Sequence, residues 1–366
     1  MTRFSAVCRT STPPDAGWLT KVAISGNNKN LGENPEGNFT VLANKHSKTL
    51  LLLKPRGFCA GVVRAIDIVR IALEAFGPPI YVRKEIVHNR FVVEELQAKG
   101  AIFVDSVDEV PNGERVIYSA HGVSPEVREA RTARTLRVID ATCPLVTKVH
   151  VEAVKFAKEG YSLILIGHRA HDEVIGTLGE APLVTRVVGS PEQVEGLTVS
   201  DPDRVAYLTQ TTLSLDETKD IIAALRKKFP NIQGPAAQDI CYATENRQVA
   251  VKQVASEADL LLVVGSDNSS NSNRLVEVAR NLGTQSHLID SYRNIQPEWL
   301  EGVNTLALTA GASAPECLVE EVLKFLGTKG FDHVKEVEVM PENVRFGLPP
   351  EIVEAIGQQP RPALAK

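Results

Sequence analysis

The chain has 366 residues, enough for two or three domains, and an ordinary composition: 43% hydrophobic, 23% charged, mean hydropathy −0.07. Forty Lys and Arg against 45 Asp and Glu leave a net charge of −5, without the basic excess that a nucleic-acid-coating or membrane-surface protein needs. Apolar runs such as Leu260–Val264 are too short to cross a bilayer, and five scattered cysteines, at 8, 59, 143, 241 and 317, fit a reducing, cytoplasmic setting rather than a secreted disulfide framework.

Residues 1–48 are rich in Asn, Gly, Ser and Thr, with six Lys and Arg and three acids, and they lack the apolar stretch of a secretory signal. Asp15, Glu33 and Glu36 weigh against an organelle transit peptide, so the stretch reads as a disordered extension. From 49 onward the pattern is strand, turn, helix, repeated. Leu50–Leu53 leads through the turn Arg56–Ala60 to a helix over Val62–Phe76; Ile80–Val82 precedes His88 and a helix over Arg90–Lys99; Val116–Ser119 precedes His121 and a helix over Pro125–Arg134. A second pass sets Arg137–Ile139 before Cys143 and a helix to Lys158. It continues with Leu163–Ile166 before His171, then Val205–Leu208 before Thr209–Ser214 and a helix over Leu215–Phe229. A third runs from Cys241, which no clean strand precedes, to Leu260–Val264 before Asn268–Asn273 and Thr305–Leu308 before Thr309–Ser313. Past 326 there remain an alternating stretch, Val337–Met340, and a Pro-rich tail.

The spacing makes this a repeat. Cys59 to His88, Cys143 to His171 and Cys241 to Ser269 span 29, 28 and 28 residues. The expected fold is therefore α/β: an extension (1–48), units at 49–142, 143–238 and 239–326, and a terminal strand and tail (327–366). Ligands of open parallel sheets gather at the carboxyl ends of strands, where every cysteine and polar cluster just named sits. Three units around a pseudo-threefold axis would bring Cys59, Cys143 and Cys241 together. Zinc in structural sites takes four ligands with local C-x₂₋₄-C spacing, absent here. An iron–sulfur cube held by three cysteines keeps one iron free of protein, a Lewis acid and electron donor to a substrate oxygen. Cys8 and Cys317 have no counterparts and read as packing residues. Around the thiols, His88, His121, His171, Thr211, Thr212, Ser269, Ser270, Asn271 and Ser313 are donors suited to an anion such as diphosphate. No nucleotide-binding glycine motif is present. Glu173, two residues past His171, is by position either a proton donor or a solvated loop carboxylate. His46, His150, His168, His287 and His333 read as surface or packing residues, and of these His168 shares the turn of His171.

These residues fall in segments that closely resemble one family. Arg56-Gly-Phe-Cys-Ala-Gly-Val62, Val87-His-Asn-Arg90, Ser119-Ala-His-Gly-Val123, Asp140-Ala-Thr-Cys-Pro-Leu-Val-Thr-Lys148, Thr209-Gln-Thr-Thr-Leu-Ser214, Asp239-Ile-Cys-Tyr-Ala-Thr244, Asn268-Ser-Ser-Asn-Ser-Asn-Arg274 and Thr309-Ala-Gly-Ala-Ser-Ala-Pro315 resemble the 4-hydroxy-3-methylbut-2-enyl diphosphate reductases, which close the non-mevalonate route to isoprenoid precursors. The resemblance covers roughly 49–326, more weakly to about 350. It implies a trefoil of α/β units around one [4Fe-4S] cluster on Cys59, Cys143 and Cys241. By the same resemblance His88, His121, Ser269, Ser270, Asn271 and Ser313 hold the diphosphate of an allylic substrate. His171 and Thr211 line the path to its hydroxyl, Glu173 is the proton source, and reduced ferredoxin or flavodoxin supplies two electrons. The family often has His-Pro-Glu where this chain has His171-Asp172-Glu173, which sets a second carboxylate beside the expected donor.

Overall fold

The computed structural model describes residues 48–358, so the extension expected over 1–48 falls, save for Lys48, outside the described residues. β1 (Thr49–Lys54) opens this part of the chain. The first unit follows as α1 (Ala60–Phe76), β2 (Ile80–Arg83), α2 (Arg90–Ala98), β3 (Ala101–Val104), β4 (Arg115–Tyr118), α3 (Pro125–Ala133) and β5 (Arg137–Asp140). The second holds α4 (Pro144–Lys158), β6 (Ser162–Ile166), α5 (Asp172–Glu180), β7 (Thr185–Val188), α6 (Pro191–Glu195), β8 (Val205–Thr209) and α7 (Leu215–Lys228). The third holds α8 (Tyr242–Ala255), β9 (Leu260–Val264), α9 (Ser270–Asn281), β10 (Gln285–Ile289), β11 (Thr305–Ala310) and α10 (Glu316–Thr328). β12 (His333–Glu338) and α11 (Pro350–Gln358) complete it; the strand expected at Val337–Met340 lies slightly earlier, and the tail contains a helix that its prolines hid.

All three sheets are parallel and share one strand order: β3-β2-β4, β7-β6-β8 and β10-β9-β11. Two of them then gain a further strand on the same side, and the other a single bridge there. β5 pairs with β4, Gln233 bridges to Ala206 beside β8, and β1 pairs with β11, for example Leu50 with Leu306. Gln233 thus stands where no strand was evident before Cys241. β1, read from sequence as the start of the first unit, belongs instead to the sheet of the third, between β11 and β12. Local pattern specifies a strand but not its partner, which is why sequence alone assigned it to its neighbour.

Strands in such sheets are covered on both faces and read as continuous apolar runs. In β1, Leu50 and Leu52 enter one core cluster and Leu51 and Leu53 another, as a period of two requires. Likewise Ile164 and Ile166 of β6 pack away from Leu163 and Leu165. α1 buries Val62, Ala65, Ile66, Val69, Ala72 and Leu73, an i, i+3/i+4 stripe, and ends at Gly77.

Candidate active site

Three turns that follow the added strands carry the cysteines, and the three are pinned alike. The Cys59 amide donates to the Ala312 carbonyl (3.1 Å), Cys143 to Ala120 (3.0 Å) and Cys241 to Thr211 (3.1 Å), each an acceptor just beyond the third strand of a sheet. Each cysteine is the N-cap of the helix that follows, α1, α4 or α8. The repeat seen in the spacing is therefore a repeat in hydrogen bonding. Three helix N-termini face one centre, where their unpaired N–H groups and dipoles favour anions, thiolates among them.

The thiols are free and partly buried, and Cys143 and Cys241 feel their neighbours. Burial first, then Cys59 and, more weakly, Cys241, push the Cys143 thiol up to about 12. Burial and Cys59 push Cys241 up to about 11. Such thiols ionise when a cation replaces the proton. Gly61 marks the closeness of approach: a Cβ there would stand 2.7 Å from Cys143 Sγ and 3.9 Å from Cys59 Sγ. Only a residue without a side chain leaves those two sulfurs room to face the same point. Three thiolates at equivalent helix starts, with a clear cradle between them, fit a metal–sulfur group held by three protein ligands.

One pocket is lined by these three cysteines and by the ten other residues singled out from the sequence: His88, His121, His171, Glu173, Thr211, Thr212, Ser269, Ser270, Asn271 and Ser313. Cys317 packs on α10 against the core of the third unit, and Cys8 lies outside the described residues. Of the other histidines, His150 is buried on Glu180 (2.8 Å), His168 meets Arg274 in a neighbouring groove, His287 stacks on Trp299, and His333 is exposed on β12; His46 is outside the described residues.

Glu173 is 2% exposed. Its carboxyl accepts from the Thr211 amide (2.7 Å) and the Thr211 hydroxyl (2.9 Å). Burial outweighs these bonds, and the nearby Asp239 adds to it, so that the carboxyl is pushed up to about 7. A group half-protonated near neutrality is suited to give up a proton. The solvated-loop alternative is excluded, since Glu173 lies inside the first turn of α5. His171 caps that helix, its Nδ1 accepting from the Glu173 amide (3.2 Å). Burial, His88 and His168 push His171 down to about 3, so it is neutral and carries its proton on Nε2 as a donor.

His88 and His121 stack, ring centroids 3.9 Å apart and planes 20° from parallel. Behind them, His88 Nδ1 meets Glu85 (3.2 Å), which also accepts from Asn268 (2.7 Å), and His121 Nδ1 meets the Ser119 hydroxyl (3.3 Å). Burial and the other two histidines push His121 well below its ordinary value. Asp172 lies close enough to both for an ion to be shared, yet no point between two stacked planes lies along both in-plane lone pairs. The pair suits two donors to adjacent oxygens of an anion. The α9 start adds Ser269, its N-cap, with Ser270 and Asn271. Ser313 donates to the His88 carbonyl (2.8 Å). Among the described residues that line the pocket there is no Lys or Arg, so the anion would be met by helix starts and neutral donors.

Supporting residues escaped the sequence reading because they act through contacts. Thr244, three residues after Cys241, meets its sulfur (3.2 Å) and accepts from Asn271 (3.1 Å), joining the thiol centre to the anion donors. Its position at the third residue past an N-cap was the available signal. Ser119 and Gly61 stand in the family-like segments but drew no role of their own, and Glu85 offered no signal.

The chain matches the LytB protein family over residues 50–327. A protein of Acidothermus cellulolyticus named 4-hydroxy-3-methylbut-2-enyl diphosphate reductase is 56% identical over 83% of this chain and 90% of its own length. A mycobacterial protein of the same name is 53% identical over 87% and 96%. Among solved structures, the E-1-hydroxy-2-methyl-but-2-enyl-4-diphosphate reductase of Plasmodium falciparum superposes with a TM-score of 0.83 at 41% identity, covering 85% of this chain and 98% of that one. Fold, site and relatives define an oxidoreductase of three parallel-sheet units. No helix among the described residues is long and apolar enough to cross a membrane. The chain belongs to the LytB family of 4-hydroxy-3-methylbut-2-enyl diphosphate reductases.

Proposed function

We propose that this chain reduces 4-hydroxy-3-methylbut-2-enyl diphosphate to isopentenyl and dimethylallyl diphosphate. One observation carries the reading: three thiols at equivalent helix starts share a pocket with a buried carboxyl that is held by Thr211. Cys59, Cys143 and Cys241 would hold a [4Fe-4S] cluster. When bound, it supplies electrons singly and an open iron for the substrate hydroxyl.

The chain's own part is binding, orientation and proton delivery. His88, His121, Ser269, Ser270, Asn271 and Ser313 hold the diphosphate, and Glu85 and Ser119 fix the two stacked rings that face it. Anchoring the diphosphate turns the encounter of hydroxyl and reducing centre into a local event. His171 Nε2–H and the Thr211 hydroxyl line the approach. Glu173 gives its proton through Thr211 Oγ1, 2.9 Å away, to the leaving hydroxyl, which departs as water. Two electrons and a second proton complete the balance: one C–O bond breaks, and one C–H bond forms at either end of the allyl unit. Reduced ferredoxin or flavodoxin is the matching electron source.

The test is anaerobic turnover of the iron-reconstituted protein with a chemical one-electron donor and the allylic diphosphate. Two electrons consumed per five-carbon product are expected. Product formed with no electron consumption would identify a dehydratase and refute the reading.

A further inference from the structure

Arg247 is fully buried, with 0% of its side chain exposed, on α8 six residues past Cys241. Its guanidinium touches three separate parts of the chain. Nη1 donates to the Ala243 carbonyl (2.9 Å) in the first turn of α8. Nη2 donates to the Gly57 carbonyl (2.7 Å), two residues before Cys59. Both nitrogens meet the carboxylate of Glu342, at 2.9 and 3.3 Å, and Asn246 donates to the same carboxylate (3.0 Å). Gly57 has a φ of +66°, and a Cβ there would stand 3.1 Å from the Ala314 carbonyl, so its carbonyl is aimed by a turn that glycine allows.

A second arginine repeats the arrangement. Arg64, one turn into α1 past Cys59, donates from Nη1 to the Thr142 carbonyl (3.0 Å), the residue before Cys143, and from Nε to the Gly347 carbonyl (2.7 Å). The first joins the turn of Cys59 to the helix of Cys241, the second the helix of Cys59 to the turn of Cys143. Both reach the same stretch, residues 339–349, which lies outside all three βα units. That stretch is held at each end. The Val339 amide donates to the Lys54 carbonyl (2.9 Å), and Ile352 of α11, 0% exposed, enters the core cluster that contains α1. A buried ion pair returns little beyond the cost of desolvating it, so net stability alone is a weak reason for placing Arg247 here.

We infer that the C-terminal segment is a clamp: Glu342 and Gly347, acting through Arg247 and Arg64, position the turns that carry Cys59, Cys143 and Cys241 and so set how firmly the three sulfurs hold their iron. The inference rests on the assignment of those cysteines as cluster ligands. Glu342, Arg247 and Arg64 do not line the pocket; they are positioning residues.

Glu342→Ala in the full-length holoenzyme tests it, with Glu342→Asp as the conservative variant. Iron release to a chelator under anaerobic conditions is expected to be about 10-fold faster in Glu342→Ala, the scale on which residues behind metal ligands act, and to return towards wild type in Glu342→Asp. In metal-free protein, amide exchange should accelerate at 57–60 and 242–246 and stay unchanged in β6 and β8. Glu342→Gln, which keeps size and shape, serves should the alanine variant misfold. Unchanged iron release would overturn the clamp, as would exchange that rises equally in all three sheets, since Glu342 would then add only general stability. Failure of the ligand assignment looks different: the wild-type protein would itself take up no iron, and the clamp would fall with it.

Discussion

Replacing Glu173 with Gln tests the site through a quantity the geometry fixes. Gln preserves the shape, and its amide can still accept from the Thr211 amide while its NH₂ turns to the Thr211 hydroxyl. Only the titration is lost. A carboxyl standing at about 7 instead of 4.5 keeps its proton in the folded chain where the unfolded chain has released it. Folded protein then binds more protons than unfolded, so stability falls as pH rises through that window. With about 1.4 kcal/mol per unit over roughly 2.5 units, the wild type should lose about 3 kcal/mol between pH 4.5 and 7.5 that the variant does not. Denaturant unfolding of metal-free wild type and variant across that range measures it. The gap should open in favour of Glu173→Gln as pH rises, and turnover of the reconstituted variant should fall about 100- to 1,000-fold with substrate affinity kept. Parallel pH profiles would mean that Glu173 titrates as an ordinary solvated acid, and the account of a poised proton would be wrong.

Cys143→Ser should abolish most cluster absorbance in anaerobically purified protein; a full spectrum in this variant would remove Cys143 from the ligand set. Gly61→Ala drives a methyl to within 2.7 Å of Cys143 Sγ, and iron content per chain, read after reconstitution, should fall by at least half while circular dichroism is kept. An unchanged iron count would mean that the sulfur moves aside freely. Thr211→Val removes a hydrogen bond to the charged form of Glu173, which lifts its pKa further. The alkaline limb of the kcat profile should move to higher pH and the maximal rate should drop about tenfold; a limb that stays in place would detach Thr211 from the proton path.

The cysteine turns were legible because a strand, a turn and a helix N-cap are all local, and three copies at near-equal spacing reinforce one another. His88, His171 and Ser269 were legible for the same reason. The outer strands β3, β7 and β10 were not, being short and partly exposed at sheet edges, where apolar alternation is weak. Nor was the sheet to which β1 belongs, because Leu50 and Leu306 are paired across 256 residues of chain. Glu85, Ser119 and Arg247 acquire their roles only from what the fold lays against them, and Glu342 gave no signal because its partners Arg247 and Asn246 lie about a hundred residues away in sequence.

The late completion of the β1 sheet bears on synthesis. Leu50 of β1 leaves the ribosome 256 residues ahead of its partner Leu306 in β11, and β12 follows later still. Throughout translation a stretch reading Thr-Leu-Leu-Leu-Leu-Lys stays without either neighbour, an apolar edge open to other nascent chains. Slow, cool expression, or a chaperone that shields this hexamer until the carboxyl-terminal third arrives, should therefore govern how much of the protein is recovered in the supernatant.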